Sequence, residues 1–143
     1  MTIVLISCVS QKLNHSDYAE KLYTSSLFKK SLAYAKSLKP NKIFILSAKY
    51  GLVNLNDKKE PYDVTLNKMT VEERKKWAKK VICQLNKTCN LNEDHFIILA
   101  GKKYREFLVK HLKSYCIPMN GLTIGKQLNF LSKKLKNNTN NIM

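Results

Sequence analysis

The sequence predicts a three-layer α/β fold, with a mostly parallel sheet of three to four strands and helices on both faces. Three short apolar runs, at residues 2–8, 42–51 and 95–101, are rich in Ile, Val and Phe, which is typical of strands buried on both faces. Each run ends in small or polar residues, and helical periodicity fills the segments between the runs. Strands that alternate with helices favour a parallel sheet joined by crossover connections.

The first connection is predicted to be helical. Residues 18–22 form a first turn, and Ser25 or Ser26 caps a longer helix that runs to about Leu38, before the helix-stopping Pro40. Apolar residues recur in this helix at helical spacing and would pack on the sheet: Phe28, Leu32, Ala35 and Leu38.

The second connection begins with a polar loop, residues 54–67, of a length that is usually functional or mobile. Thr70-Val71-Glu72-Glu73 then has the pattern of a capping box that opens a helix. The apolar stripe of this helix is Trp77, Ala78, Val81, Ile82 and Leu85. Its other side carries Arg74, Lys75, Lys76, Lys79 and Lys80, which form either a solvated helix face or a binding patch.

After the third strand we expect a helix at residues 103–115 and a short fourth strand at 116–118. A turn with two glycines, Gly121 and Gly125, leads into a last helix that ends near Leu135. These glycines either admit an anion beside the helix N-terminus or make a tight turn. The sequence thus predicts one α/β domain, residues 1–136, and a disordered tail, residues 137–143.

The charge of the chain indicates a polyanionic partner. Its 143 residues include 26 Lys and Arg but only 10 Asp and Glu, which gives a formal net charge of +16. So basic a composition favours nucleic acid. The alternative is a generally Lys-rich proteome, because Arg, the usual residue for bidentate phosphate contacts, occurs only at Arg74 and Arg105.

The four cysteines indicate neither a disulfide framework nor a zinc site. Cys8, Cys83, Cys89 and Cys116 form no CxxC pair. The longest apolar run is too short to span a membrane, and no basic leader precedes the first strand. The sequence therefore predicts a cytoplasmic protein with no metal, no cofactor and no membrane partner.

The predicted site lies at the carboxyl ends of the strands, because ligands of open parallel sheets bind there. Lysines supply charge for phosphate, and tyrosines supply a stacking face and a hydroxyl. Glu60 and Asp63, from the polar loop, are the candidate catalytic carboxylates. The candidate substrate-binding residues are Ser7, Cys8, Lys12, Ser47, Lys49, Tyr50, Gly51, Tyr62, Gly101, Tyr104, Lys126 and Gln127.

The same segments resemble known proteins. The opening Ile3-Val4-Leu5-Ile6-Ser7 with Lys12, the blocks at residues 46–53 and 60–66, and the block at 98–104 resemble, in matching order, YaaA-type peroxide-stress proteins. From residue 2 to 131 the chain is similar to a family of short, uncharacterised bacterial and phage proteins. That family shares Cys8, the segment at residues 22–28 and Gly125-Lys126-Gln127-Leu128.

The resemblance implies an α/β fold, DNA binding linked to oxidative damage, and kinship with base-acting proteins of the uracil-glycosylase type. The chain departs from YaaA-type proteins in being much shorter. It also has Cys8 where they commonly have a proline after the first-strand serine. Function carried over on fold alone is an analogy.

Three functions therefore stand as expectations. In the first, the protein binds nucleic acid, with DNA favoured, and acts on a nucleobase by N-glycosidic hydrolysis. Asp63 or Glu60 would stabilise the sugar cation or orient water, Tyr50 or Tyr62 would stack the base, and Lys12 and Lys49 would hold flanking phosphates. In the second, the site binds a free nucleotide without catalysis. In the third, the basic helix at residues 70–86 binds DNA.

Overall fold

The structure is a computed structural model that describes residues 1–7 and 12–142, and side chains through residue 137. Its main sheet has five strands in the order β4-β3-β1-β6-β7, of which all neighbours are parallel except the antiparallel pair β3 and β4. These strands are β1 (Thr2–Ser7), β3 (Lys42–Ser47), β4 (Gly51–Asn54), β6 (His95–Leu99) and β7 (Ser114–Cys116). A two-stranded ribbon pairs β2 (Asp17–Tyr18) with β5 (Lys58–Lys59).

Helices cover both faces of the sheet. On one face, α3 (Val71–Asn86) and the short α4 (Lys102–Arg105) pack on one set of strand side chains. On the other face lie α1 (Ala19–Leu22), α2 (Ser26–Ser37) and α5 (Ile124–Ile142). The predicted α/β fold with helices on both faces is therefore confirmed.

The alternation of β1 side chains divides the core into two halves. Ile3 and Leu5 face the α3 side, while Val4 and Ile6 face the α2 side, and none of the four is exposed to solvent. Successive side chains of a strand point to opposite faces, so a strand between two helix layers must be apolar at every position.

The helix caps predicted from the sequence are present in the structure. The Ser25 hydroxyl accepts a hydrogen bond from the Phe28 amide at 3.1 Å and so caps α2. Thr70 and Glu73 form the capping box of α3, each side chain accepting the other residue's backbone N–H at 3.2 Å. The predicted apolar stripe of α3 is buried, from Trp77 to Leu85.

Two sheet predictions need correction. The sheet has five strands, not three to four, because the chain turns back after β3 and residues 51–54 pair antiparallel with it. The strand expected at 116–118 lies at Ser114–Cys116. The pairing of residues 114–116 with residues 95–97 of β6 defines this register, and no local pattern shows it.

The predicted helix at 103–115 is also wrong. α4 is a single turn, and a 3-10 turn at Val109–His111 follows it. Its apolar residues Tyr104, Leu108 and Leu112 are nevertheless buried against the sheet, and Phe107 is partly buried there. A continuous helix would occupy Ser114 and Tyr115, which the chain needs to pair β7 with β6.

The last helix, α5, continues to Ile142 and so passes the predicted end near Leu135. Its contacts with α2 include a hydrogen bond from the Lys30 ammonium to the Ser132 hydroxyl at 2.6 Å. The single domain at residues 1–136 and the disorder of residues 137–143 stay predictions.

Gln84 of α3 fastens the start of β4. Its side-chain oxygen accepts from the Leu52 amide at 2.8 Å, and its side-chain nitrogen donates to the Tyr50 carbonyl at 3.3 Å. Gly51 lies between these two residues at φ +78°, and a Cβ there would collide with the Gln84 side chain. Glycine is the one residue that fits both the backbone angle and the space.

We predict that Gly51→Ala destabilises the protein more than Gly121→Ala. Both glycines have positive φ, at +78° and +80°, but no atom lies within 4 Å of a Cβ at Gly121. The left-handed backbone costs about 1–2 kcal/mol in either variant. At Gly51 the new Cβ would also displace the Gln84 side chain and weaken its hydrogen bonds to Leu52 and Tyr50, which adds roughly 1 kcal/mol. Urea unfolding measures the difference, and equal losses would contradict the role given to Gln84.

Asp94 links the chain start to the loop before β6. Asp94 is only 5% exposed. Its carboxylate accepts hydrogen bonds from the Met1 ammonium and from the backbone amide of Asn90, both at 2.7 Å. The hydrogen bond from the ammonium, then that from Asn90, lowers the pKa of Asp94 below its ordinary value of 3.8.

We predict a pH-dependent stability from this carboxylate. Folding lowers the pKa of Asp94. The carboxylate therefore stabilises the folded state fully above pH 3.8, and this stabilisation is lost as the pH falls through the folded-state pKa. Wild type should therefore exceed Asp94→Asn in unfolding free energy at neutral pH, and the gap should narrow in acid. Urea titrations across this range measure it, and a gap that does not change with pH would contradict the prediction.

Candidate functional site

The order of the parallel strands marks one place on the sheet for a ligand. From β1 the chain crosses to β3 on one side by way of α2, and it later reaches β6 on the other side by way of α3. Neighbouring connections thus leave on opposite faces, so a crevice opens between the carboxyl ends of β1 and β6. Ligands of open α/β sheets bind at such a topological switch point.

A pocket of about 290 Å³ occupies this crevice. It is bounded by the end of β1, the segment after β6, and one flank each of α2 and α5. The described lining consists of Ser7, Leu27, Ser31, Asn67, Leu99, Ala100, Gly101, Lys102, Lys103, Tyr104, Met119, Ile124 and Gln127. We call this space the switch-point pocket.

Ser31 is the buried polar residue of the pocket. It is 3% exposed, and within the described part of the chain its hydroxyl has no hydrogen-bond partner. It lies on the same flank of α2 as the buried Phe28 and Leu32. Because no buried side-chain nitrogen or oxygen of the described residues lacks a hydrogen-bond partner, the Ser31 hydroxyl is accessible from the pocket, where a group that enters can bond to it.

The rim of the pocket is basic. Lys102 and Lys103 are exposed beside Gly101, and the Lys103 ammonium donates to the Asn67 carbonyl at 3.4 Å. None of the described lining residues is Asp or Glu. Gln127 is held by a hydrogen bond from its Nε2 to the Leu122 carbonyl at 2.9 Å. The pocket therefore combines apolar walls with neutral hydrogen-bonding groups and a positive entrance.

A second polar group lies beside the pocket, at the end of β3. We call Tyr23, Ser47, Tyr50 and Tyr62 the tyrosine–serine cluster. Ser47 is fully buried and donates its hydroxyl hydrogen to the Tyr62 oxygen at 2.8 Å, while it accepts the Tyr50 amide at 3.0 Å. The Tyr23 and Tyr62 hydroxyls lie 2.9 Å apart. The cluster holds the polar loop over the end of β3.

Lysines cover the aromatic rings of this cluster. The Lys12 ammonium lies 4.4 Å from the Tyr62 ring centre, and those of Lys49 and Lys59 lie 5.3 and 4.8 Å from the Tyr50 ring centre. Tyr50 also meets Tyr62 edge to face, with ring centres 5.5 Å apart. Cation–π contacts of this kind favour a fixed arrangement of rings. A structural role in the fold therefore explains the cluster without a ligand.

The predicted site residues divide between these places. Four of them line the switch-point pocket: Ser7, Gly101, Tyr104 and Gln127. Five others belong to or cover the tyrosine–serine cluster: Lys12, Ser47, Lys49, Tyr50 and Tyr62. Lys49 is exposed beside Tyr50, Gly51 is buried against Gln84, and Lys126 is exposed in the first turn of α5. Cys8 lies outside the described residues.

The two candidate catalytic carboxylates do not line the pocket. Glu60 and Asp63 are both exposed. The polar loop contacts the cluster at Glu60 through backbone, since the Glu60 carbonyl accepts the Tyr50 hydroxyl at 3.1 Å. Their part in catalysis stays a prediction.

Sequence reasoning missed Ser31, Leu27 and Met119 of the pocket. Ser31 had a signal, because a serine inside the apolar stripe of a helix is a polar residue on a buried face. Leu27 and Met119 had none, since one reads as an ordinary helix residue and the other follows the edge strand β7.

The described residues contain neither a membrane-spanning helix nor a cluster of metal ligands. No helix in the described ranges is both long and apolar enough to cross a lipid bilayer. Among residues 1–7 and 12–142, no group of three or more His, Cys, Asp or Glu is arranged to hold a metal ion.

The sequence matches a known protein family over most of its length. The model of a family of unknown function, DUF6884, matches residues 3–133. The chain belongs to this DUF6884 family. No curated protein matches it. Membership confirms the coarser part of the resemblance, a family of unknown function, while the likeness to YaaA-type proteins stays a prediction.

We predict that Tyr62→Phe destabilises the protein by about 1–2 kcal/mol, because the Ser47 and Tyr23 hydroxyls both lose a partner. Tyr18→Phe is the matched control, since Tyr18 is 53% exposed. Urea unfolding of both variants gives the difference. Similar values for the two variants would show that the cluster does not support the end of β3.

Proposed function

We propose that this DUF6884 protein binds nucleotide units, free or within a nucleic acid, in the switch-point pocket. The observation that carries the proposal is the pocket's composition: apolar walls, a Ser31 hydroxyl with no partner among the described residues, and a lysine rim without a carboxylate in the described lining. Its place at the switch point agrees with where open α/β sheets hold nucleotides.

Each part of a nucleotide has a matching part of the pocket. The walls formed by Leu27, Leu99 and Met119 suit a flat base. Ser31 offers a hydrogen bond to a base edge or a sugar hydroxyl. Lys102 and Lys103 offer charge to a phosphate at the entrance. The volume of about 290 Å³ suits a ligand of roughly nucleotide size and lies at the small end of ligand pockets.

DNA is the favoured source of the nucleotide unit. The net charge of +16 supports a polyanionic ligand, and the resemblance to YaaA-type proteins implies DNA binding linked to oxidative damage. A nucleotide of a strand would have to leave its stack to enter the pocket, as happens in proteins that act on single bases.

Binding without hydrolysis is the better supported form of this function. Cleavage of an N-glycosidic bond needs a carboxylate near the sugar, and Asp63 and Glu60 are exposed and outside the pocket lining. If the protein released a base from an oligonucleotide and Asp63→Asn abolished the release, the hydrolytic function would replace the binding function.

We predict that Ser31→Ala weakens nucleotide binding about five- to tenfold, the loss expected for one neutral hydrogen bond. Ser26→Ala is the matched control on the same helix, because Ser26 is exposed and outside the pocket lining. Calorimetric titration with each of the common mononucleotides measures the affinities. Failure of all of them to bind wild type would overturn the proposal, and so would equal affinities of the two variants.

The rim is tested with Lys102→Gln/Lys103→Gln. This variant should weaken the binding of a nucleotide but not of its nucleoside, because only the nucleotide carries the phosphate that the rim attracts. An equal loss for both ligands would place the phosphate elsewhere.

A further inference from the structure

The solvent side of α3 carries positive charge and almost no negative charge. After Glu73 the sequence contains no Asp or Glu before Glu93. We define the basic face as the exposed lysines of α3 and its C-cap: Lys75, Lys76, Lys79, Lys80 and Lys87.

These lysines point in one direction. At about 100° per residue, all five fall within an arc of about 140° around the helix axis. From Lys75 to Lys87 the row extends about 18 Å at 1.5 Å per residue. The backbone carbonyl of Lys49 accepts from the Lys80 ammonium at 3.4 Å, so the exposed Lys49 continues the row toward the end of β3.

The charge of the basic face is poorly compensated. Among the described residues, the one ion pair of the face joins Lys75 to Glu72 at 4.0 Å. Lys76 repels Lys79 and Lys80, which lie three and four residues further along the same helix. The neighbouring Arg74 is not part of the face, because it is paired with Glu106 at 3.0 Å.

The fold does not require these lysines. α3 is held to the sheet by its buried stripe, which includes Trp77, Val81 and Leu85. Its ends are held by the capping box and by Gln84. Repulsion along the basic face opposes the helix and is relieved when a polyanion lies on it.

We propose that the basic face of α3 binds the phosphodiester backbone of nucleic acid independently of base sequence. A row of about 18 Å matches about five phosphates of one strand at 3.4 Å of helix axis each. Lysine acts as a point charge toward phosphate, without the fixed fork by which arginine reads a base edge. The contact therefore adds affinity and salt dependence, not sequence preference.

The face suits nucleic acid better than an anionic membrane. Helices that lie on membranes insert an apolar face beside their lysines. The apolar stripe of α3 is buried in the core, and no aliphatic or aromatic side chain is exposed between Lys75 and Lys87. Binding to a lipid surface is nevertheless an outcome that the test includes.

The basic face is separate from the switch-point pocket, and this inference does not rest on nucleotide binding there. No lysine of the face lines the pocket. α3 reaches the strand ends through its other side, where the Trp77 indole donates to the Ser47 carbonyl at 2.8 Å. Backbone binding at α3 and nucleotide binding in the pocket are therefore tested separately.

The experiment measures the binding of a short fluorescent duplex, of random sequence, across a salt series. Lys76→Gln/Lys79→Gln/Lys80→Gln is compared with the charge-matched control Lys29→Gln/Lys113→Gln/Lys133→Gln, whose lysines are exposed on other elements. We expect the α3 variant to lower the slope of log affinity against log salt by about two to three units, and the control to lower it by less than one.

Exposed cysteines give a second readout in the wild-type protein. Cys83 lies within the basic face, while Cys116 is exposed on β7. The duplex should slow the alkylation of Cys83 several-fold and leave Cys116 unchanged. Partial burial raises the pKa of the Cys116 thiol, so each cysteine is compared with its own rate in the absence of DNA.

Three results would overturn the inference. If the slope of log affinity against log salt changed equally in the two triple variants, the net charge of the protein would account for binding and the position of the lysines would not matter. Unprotected Cys83 would place the duplex elsewhere. Binding to phosphatidylserine vesicles that the α3 variant loses, without duplex binding by wild type, would assign the face to a membrane. Mononucleotide affinity should be the same in wild type and the α3 variant, and the salt slope should be unchanged in Ser31→Ala, so the two proposals fail separately.

Discussion

The burial of β1 on both faces is the constraint on which the rest of the structure depends. Its side chains from Ile3 to Ile6 are inaccessible to solvent, and parallel strands pair along both of its edges. A strand in this position must be covered by helices on each face, and the chain must leave it in one direction and return on the other side. The switch-point pocket follows from that path. The connection through α2 covers one face of the sheet and the connection through α3 covers the other, which leaves a crevice between the ends of β1 and β6.

Ser47, at the end of β3, connects the sheet to the polar loop through hydrogen bonds. Its hydroxyl joins the turn at Tyr50 to Tyr62 of the loop, and its carbonyl accepts the indole of Trp77. One fully buried residue thus joins β3, the loop and α3, and its hydroxyl and its carbonyl both have partners. Ser31 is buried as well, but it lines the switch-point pocket, and none of the described residues hydrogen-bonds to its hydroxyl.

The two proposals assign different tasks to the charge of the protein. At the pocket rim, two lysines next to apolar walls suit the phosphate of a single nucleotide. On α3, a row of lysines without walls suits only a repeated charge, such as a nucleic acid backbone. Lys49, whose carbonyl accepts from the Lys80 ammonium, extends this row toward the end of β3.

The sequence by itself determined the α/β class, the three central strands, the caps at Ser25 and Thr70, and the buried stripe of α3. Each depends on local periodicity or on hydrogen bonds within a few residues, which sequence patterns record. Tertiary structure alone decided the edge strands β4 and β7. β4 begins after a turn inside the apolar run 42–51, which predicted one strand, and β7 pairs with the separate strand β6. It also decided the pocket. Strand order brought Ser7, Gly101 and Gln127 together and left Asp63 and Glu60 outside, and Ser31 lines the pocket because α2 packs against β1.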